Sequence, residues 1–415
     1  MSKPFTLAVT GQSLIHHDVR EAAEPGFVRV VETLRRADVA FTNFEGCIYG
    51  RHQGWPLKGF YFGSSGPDVL DALKAIGFNV LSLSNNHAFD LGPSGILSTL
   101  EEVGSRGFLH AGIGINRADA ESAGIAQLGG REVALVAMDA GPGPDNMYAD
   151  DADRDRPARP GVNRLRVKRI FELDPARIEP LREIQRLFES SSLERANYAQ
   201  PNDRPSVAAD EIDFWGTIFG EAAAPCRRIV VDEDSACLQL DAIRRAAAGG
   251  AFVIAYLHQH HWEPSWQNVP AWVVDFAHRC VDAGAGAFVG HGAPVLQAIE
   301  IYKGAPLFYG LGNFLFHLKE GQTEWSPPEV WKSVVATCHF DGDGRVAAID
   351  LLPVVLGGEQ RLGADDYHNR VLPIAAQGDV AQSILNDLKQ RSAPYGTEVD
   401  AKRRRIMAAA ALSAI

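Results

Sequence analysis

Short apolar runs that end in polar clusters alternate along this chain with stretches whose apolar residues recur at helical spacing. Residues 5–10 read as a buried strand emptying into Gly11-Gln12. Val28, Val31 and Leu34 share one face of a helix over 27–36, and 39–44 is a second strand ending in Asn43-Phe44-Glu45-Gly46. A helix over 67–76 turns Val69, Leu70, Leu73 and Ile76 inward and closes on Gly77. The next strand, 79–84, runs out into Asn85-Asn86-His87, and 95–103 is helical again. In the second half, strand 252–257 ends at His258, residues 271–282 form a helix, and strand 286–289 ends in Gly290-His291. Residues 307–309 and 334–340 are further strands, the last followed by an Asp-Gly-Asp-Gly turn at 341–344. Such alternation predicts an α/β architecture with its site beyond the carboxyl ends of the strands.

The middle and the end follow other patterns. Residues 141–169 are rich in Pro, Asp, Arg and Gly and read as a long surface loop, and 176–198 as a charged amphipathic helix. The stretch 141–235 is expected to be an insertion, either capping the site or serving as a plain linker and helix. Residues 378–415 read as helices, with the basic run 402–405 on a solvated helix face or, less simply, at an anion or oligomer contact. The expected division is a main domain over 1–355 carrying the insertion, then a helical extension over 356–415.

With 46% hydrophobic and 22% charged residues, a chain of 415 can bury a large core. A net charge of −12 disfavours nucleic acid as a partner. Forty Gly and 23 Pro fit many tight turns. The five cysteines are scattered without CxxC spacing and read as reduced packing residues. No apolar leader follows Met1 and no segment is long enough to span a bilayer. A cytoplasmic protein acting on a small molecule, with no membrane partner, is expected; homo-oligomerisation stays open.

Four strand ends deliver ligand-type side chains: Glu45, Asn86 with His87, His258 and His291. A carboxylate, an amide oxygen and imidazoles form a mixed N/O set suited to Mn, Zn or Fe. Each also has a bland reading: Glu45 as a cap or ion-pair residue, Asn86 as a turn residue, and the histidines as satisfied interior groups. Their joint placement at the ends of apolar runs favours a metal-dependent site. In His258-Gln259-His260-His261, residues 258 and 260 point the same way on a continuing strand, and His261 the other. His16 and His17 follow the first strand, and Trp55, Trp262 and Trp266 are candidates to stack on a substrate ring.

The stretches Ala40-Phe41-Thr42-Asn43-Phe44-Glu45, Asn85-Asn86-His87-Ala88-Phe89-Asp90-Leu91-Gly92, Tyr256-Leu257-His258, Gly290-His291 and Tyr309-Gly310-Leu311-Gly312-Asn313-Phe314 resemble the signature elements of the CapA-like proteins of poly-γ-glutamate capsule synthesis. That family is similar to the calcineurin-like metallophosphoesterases. The resemblance implies a four-layer αββα sandwich with a two-metal centre. It implies Glu45, Asn86, His258 and His291 as metal ligands, His87 as the general acid and Asp90 as the residue orienting it. The sequence departs from the pattern where Gln12 stands for an aspartate and where no second histidine follows Pro294. One metal position is therefore expected to be retained and a second degraded or rebuilt, with Gln12, His16, His17, Asn43, His260 and Trp262 as second-position or substrate residues. The expected reaction is hydrolysis of an amide, γ-glutamyl or lactone/ester bond of a small soluble substrate by metal-activated water. Phosphoester cleavage, metal-dependent lyase chemistry and non-catalytic metabolite binding are the alternatives.

Overall fold

The computed structural model describes residues 4–188, 207–317, 327–362 and 372–408. It forms two compact units: Met1–Arg164 with Cys237–Ile415, and Leu165–Ala236.

In the first unit the parallel strands Phe5–Val9, Val39–Asn43, Val80–Ser82 and Leu109–Ala111 lie side by side in chain order. Antiparallel strands Lys332–Phe340 and Val346–Leu356 extend this sheet beyond Phe5–Val9, and Pro373–Ala375, Val399–Asp400 and Arg405–Met407 complete it. A second sheet centres on the parallel strands Arg131–Asp139, Phe252–His258 and Ala285–His291. Gly124–Leu128 closes one edge, and Ala305–Phe308 followed by Ile299–Tyr302 the other.

Side-chain alternation decides what each face buries. Leu7, Val9, Phe41 and Val80 of the first sheet share one core with Val133, Leu135, Ile254, Tyr256 and Val289 of the second. The intervening residues Ala8, Ala40 and Leu81 face the other way, against Phe27, Val30 and Leu34 of helix Pro25–Arg35 and Val69 and Leu73 of helix Asp68–Ile76. Helix Ala271–Asp282 buries Val273, Phe276, Ala277 and Cys280, a stripe at helical spacing. Central strands covered on both faces read as unbroken apolar runs, which is why the sequence showed them clearly. The architecture is mixed α/β. Among the described residues no helix is long and apolar enough to cross a membrane.

Three expectations change. Residues 141–164 are not a surface loop: Met147, Tyr148 and Val162 are buried, and Gly161–Val162 pairs with Ile113–Gly114. The Pro- and Asp-rich composition hid these few anchors. The unit Leu165–Ala236 is more than helical. A sheet in the order Ile212–Phe214, Thr217–Glu221, Val167–Leu173 and Cys226–Val231 accompanies helix Pro175–Phe188, while the expected helix beyond 188 lies outside the described residues. Strands Val167–Leu173 and Cys226–Val231 carry arginines and lysine among their apolar positions, and Ile212–Phe214 and Thr217–Glu221 are short, which masked them. Finally, among the described residues the C-terminal stretch holds the α-helix Gly378–Ser392, followed by two short strands of the large sheet. The basic run 402–405 occupies the turn between these strands and the start of the second, not a helix face. Strands two or three residues long leave no periodicity to read.

Candidate metal centre

The register of the second sheet lines up Asp139, His258 and His291 at the carboxyl ends of three adjacent parallel strands. The loops leaving strands Val39–Asn43 and Val80–Ser82 supply the other side of the site. Asn85 locks them together: its Nδ2 donates to the Phe44 carbonyl at 2.8 Å and to Asn43 Oδ1 at 3.3 Å, and its Oδ1 accepts from the His87 amide at 3.0 Å. The loop after His258 is held as firmly. The Ala140 amide donates to the His258 carbonyl, the His260 amide to the Gly141 carbonyl (both 2.8 Å), and the Gln259 amide to the His291 carbonyl at 3.1 Å.

Three side chains converge on His258 Nε2: Asn86 Oδ1 at 2.9 Å, His260 Nε2 at 3.1 Å and Glu45 Oε1 at 3.9 Å. The donor atoms of Glu45, His258 and His260 all lie within 4.8 Å of one another. His258 Nδ1 is 3.2 Å from the Tyr256 hydroxyl, which orients the ring from behind. Burial holds His258 well below the usual histidine range and His260 at about 3, with charge from neighbouring histidines adding to it. Both rings are therefore neutral, the state in which imidazole binds a cation. Burial pushes the Glu45 carboxyl up to about 8, opposed by Lys58, and its Oε2 is buried with no hydrogen-bond partner. An orphaned carboxylate oxygen, an amide oxygen and neutral imidazoles at one buried point fit a divalent transition metal and lack any other internal partner for that oxygen.

Beside this cluster, His87 Nδ1 lies 2.7 Å from Asp90 Oδ2. Lys58 Nζ reaches Asp90 Oδ1 at 2.8 Å and donates to the Asn86 carbonyl at 2.9 Å. Burial would raise Asp90, but its hydrogen bond from His87 and the charge on Lys58 outweigh that and keep the carboxyl below its ordinary range. Burial lowers His87, against the pull of Asp90. Phe62 meets the His87 ring edge-on at 5.3 Å, and Trp262 lies 4.8 Å from the His260 ring and 5.3 Å from Trp266.

The remaining candidates are more dispersed. His291 is buried beside His258, and burial holds it at about 3 against a backbone hydrogen bond at Thr10. It stands outside the close cluster of Glu45, His258 and His260. Gln12 is engaged elsewhere: its Nε2 donates to Asn313 Oδ1 at 3.1 Å and its Oε1 accepts from the Gly292 amide at 3.3 Å. His16 Nδ1 is 2.8 Å from Ser65 Oγ, and the His17 ring is 5.0 Å from that of His317. Asn43 is fully buried and held by Asn85, while Trp55 is 81% exposed.

Sequence reasoning passed over Lys58, Gly63 and Asp139. Lys58 and Gly63 belong to Gly54-Trp55-Pro56-Leu57-Lys58-Gly59-Phe60-Tyr61-Phe62-Gly63, which has no periodicity. Its signal is compositional: one cation among aromatics and glycines, between a strand end and a helix. Asp139 closes an apolar strand, as the ligand-type residues do. Its Oδ2 accepts from the Gly141 amide and the Tyr148 hydroxyl, both at 3.0 Å, and burial raises it to about 7.

These features define an α/β protein whose strand-end loops gather a carboxylate, an amide and imidazoles at one buried point beside a His–Asp pair. The chain belongs to the bacterial capsule synthesis protein family PGA_cap, whose model it matches over residues 6–318. It is 31% identical to an uncharacterized protein of Sinorhizobium fredii over 96% of this chain and 92% of that one. It is also similar to the PGA biosynthesis protein CapA of Bacillus subtilis, with 22% identity over 72% of this chain and 58% of the relative. With a probable polyglutamine synthesis accessory protein of Mycobacterium tuberculosis it shares 25% identity over 60% of this chain and 47% of the relative.

Proposed function

We propose that this chain is a metal-dependent hydrolase built on a four-layer sandwich of the metallophosphoesterase type. The observation that carries the reading is the convergence of Asn86 Oδ1, His260 Nε2 and Glu45 Oε1 on His258 Nε2, next to the His87–Asp90 pair. Glu45, Asn86, His258 and His260 would hold the ion, with His291 on the neighbouring strand as a further ligand. A divalent ion there would supply Lewis-acid polarisation of the scissile group and acidification of water.

The chain's own residues account for proton movement. Asp90 accepts Nδ1–H of His87, which leaves Nε2 of a neutral ring to take the proton released as water attacks. The carboxylate of Asp90 stabilises the imidazolium so formed, which then protonates the leaving group. Phe62 meets the His87 ring edge-on and Trp262 lies against that of His260, so both would flank a bound substrate.

Relatives named for PGA biosynthesis and polyglutamine synthesis support a γ-glutamyl amide or related carboxylic amide or ester as the bond cleaved, and a role in the metabolism of such a polymer. A panel of γ-glutamyl amides, lactones and phosphoesters, run with Mn or Zn, tests this. Turnover of the amides or lactones that disappears in His87→Ala with metal content unchanged is the expected result. Turnover confined to phosphoesters overturns the bond assignment, and no turnover with any member overturns the enzyme reading.

A further inference from the structure

The hydrolase reading leaves Lys58 without a task, although its charge reaches Glu45, His87, Asp90, His258 and His260. Its place is fixed by the backbone, since the Leu57 amide donates to the Asp90 carbonyl at 2.8 Å. An ammonium has three N–H donors. The Asn86 carbonyl accepts one at 2.9 Å, the ammonium pairs with Asp90 Oδ1 at 2.8 Å, His87 Nδ1 at 3.5 Å is committed to Asp90, and the side chain is 44% exposed. The lysine is therefore partly open to solvent beside the His87–Asp90 pair.

Charge accounting points the same way. Asp90 is paired with Lys58, and of the groups around His258 only Glu45 can become an anion, as a bound cation would favour. A divalent ion held by one carboxylate leaves a positive charge uncompensated in a buried place, which favours an anionic ligand. Phe62, edge-on to His87, packs with Trp262 and Trp266 against one apolar cluster, which gives an organic body a surface to lie on.

We propose that Lys58 selects the substrate's charge: its ammonium binds an oxyanion, carboxylate or phosphate, of an organic molecule whose apolar body packs against Phe62 and Trp262. This rests on the metal-centre reading above.

The test is calorimetric titration of the full chain, loaded with Mn or Zn, with N-benzoylglycine, phenyl phosphate and the uncharged N-benzoylglycinamide. Wild type is expected to bind at least one anion about tenfold or more tighter than the amide, since a charged hydrogen bond is worth about a decade of affinity. Lys58→Met should lose about tenfold for that anion and nothing for the amide, and Lys58→Arg should retain most of the affinity. Which anion binds separates a carboxylate from a phosphate ligand. Equal affinity for anion and amide, no anion binding by wild type, or an equal loss for anion and amide in Lys58→Met would each overturn the inference. Metal analysis of the same samples keeps the two readings apart. A metal-free wild type overturns the centre, whereas intact metal with unchanged anion affinity in Lys58→Met overturns the role of Lys58 alone.

Discussion

Gly63 sits directly on the His87–Asp90 pair. A Cβ there would lie 2.4 Å from His87 Nδ1, 2.5 Å from Asp90 Oδ2 and 2.7 Å from His87 Cβ, about 1 Å short of ordinary contact. The backbone at Gly63 is not in the left-handed region, so Gly63→Ala perturbs by steric pressure alone. The methyl must push the two side chains aside, and overpacking of this kind costs about 1–3 kcal/mol. It must also break the 2.7 Å bond between His87 and Asp90, a charge-assisted bond worth roughly 1.5–3 kcal/mol. Part of each cost is relieved by relaxation, so urea unfolding should show about 2–4 kcal/mol of lost stability. Histidine ring ¹⁵N correlations give a second readout. In wild type the His87 ring should carry its proton on Nδ1, and in the variant that preference should weaken. Gly104→Ala is the control, because its Cβ meets nothing within 4 Å and it lies in helix Gly92–Ser105. It should be neutral or stabilising by up to about 1 kcal/mol. A Gly63→Ala protein with wild-type stability and an unchanged His87 tautomer would refute the claim that this glycine shapes the pair.

Three further outcomes are expected. Asn85→Ala removes three hydrogen bonds, two of them buried, and opens a cavity between the two loops, so it should cost about 3 kcal/mol in urea unfolding; a loss below about 1 kcal/mol would contradict that role. Gly292→Ala combines a φ of +125° with a Cβ placed 1.8 Å from the Gln259 carbonyl, and should yield little folded protein at the expression temperature tolerated by wild type. The Arg106 guanidinium beside Asp71 holds that carboxyl below its ordinary range. The folded value lies under the unfolded one, so the pair stabilises above about pH 4 and its contribution disappears as pH falls through the folded value. Asp71 is 40% exposed, so the contribution is below about 1 kcal/mol, and Asp71→Asn should flatten the acid limb of the stability profile by no more than that.

The doubly covered strands were legible because their residues are apolar on both faces, and each ends abruptly where the chain turns polar. Strands Phe252–His258 and Ala285–His291 emerged within a residue or two of the expected bounds. Helix ends were legible where chemistry marks them, as at Gly77, whose φ of 124° suits only glycine. Strands of two or three residues, and strands whose outer positions are arginine or lysine, leave too little pattern, and the Leu165–Ala236 unit and the C-terminal strands were missed for that reason. At the site, strand-end placement picked out Glu45, Asn86, His87 and His258 as neighbours. The same reasoning placed His291 among the ligands and His260 only at a second position, whereas His260 meets His258 and His291 stands outside the close cluster. The loop turn set by the Gly141 carbonyl, which decides that His260 meets His258, is a tertiary contact. Lys58 and Gly63 reach the His87–Asp90 pair from a segment without periodicity, so only packing reveals them.

The most direct test of the centre is elemental analysis of purified wild type beside Glu45→Ala, His258→Ala and His260→Ala, with His339→Ala, beside Thr6 at the amino end of the first strand, as control. The account predicts about one or more divalent transition-metal ions per wild-type chain, loss of the tightly bound ion in each of the three cluster variants, and no change in His339→Ala. A wild-type chain that neither retains nor takes up Mn, Zn or Fe, or an ion that persists undiminished in both His258→Ala and His260→Ala, would contradict it.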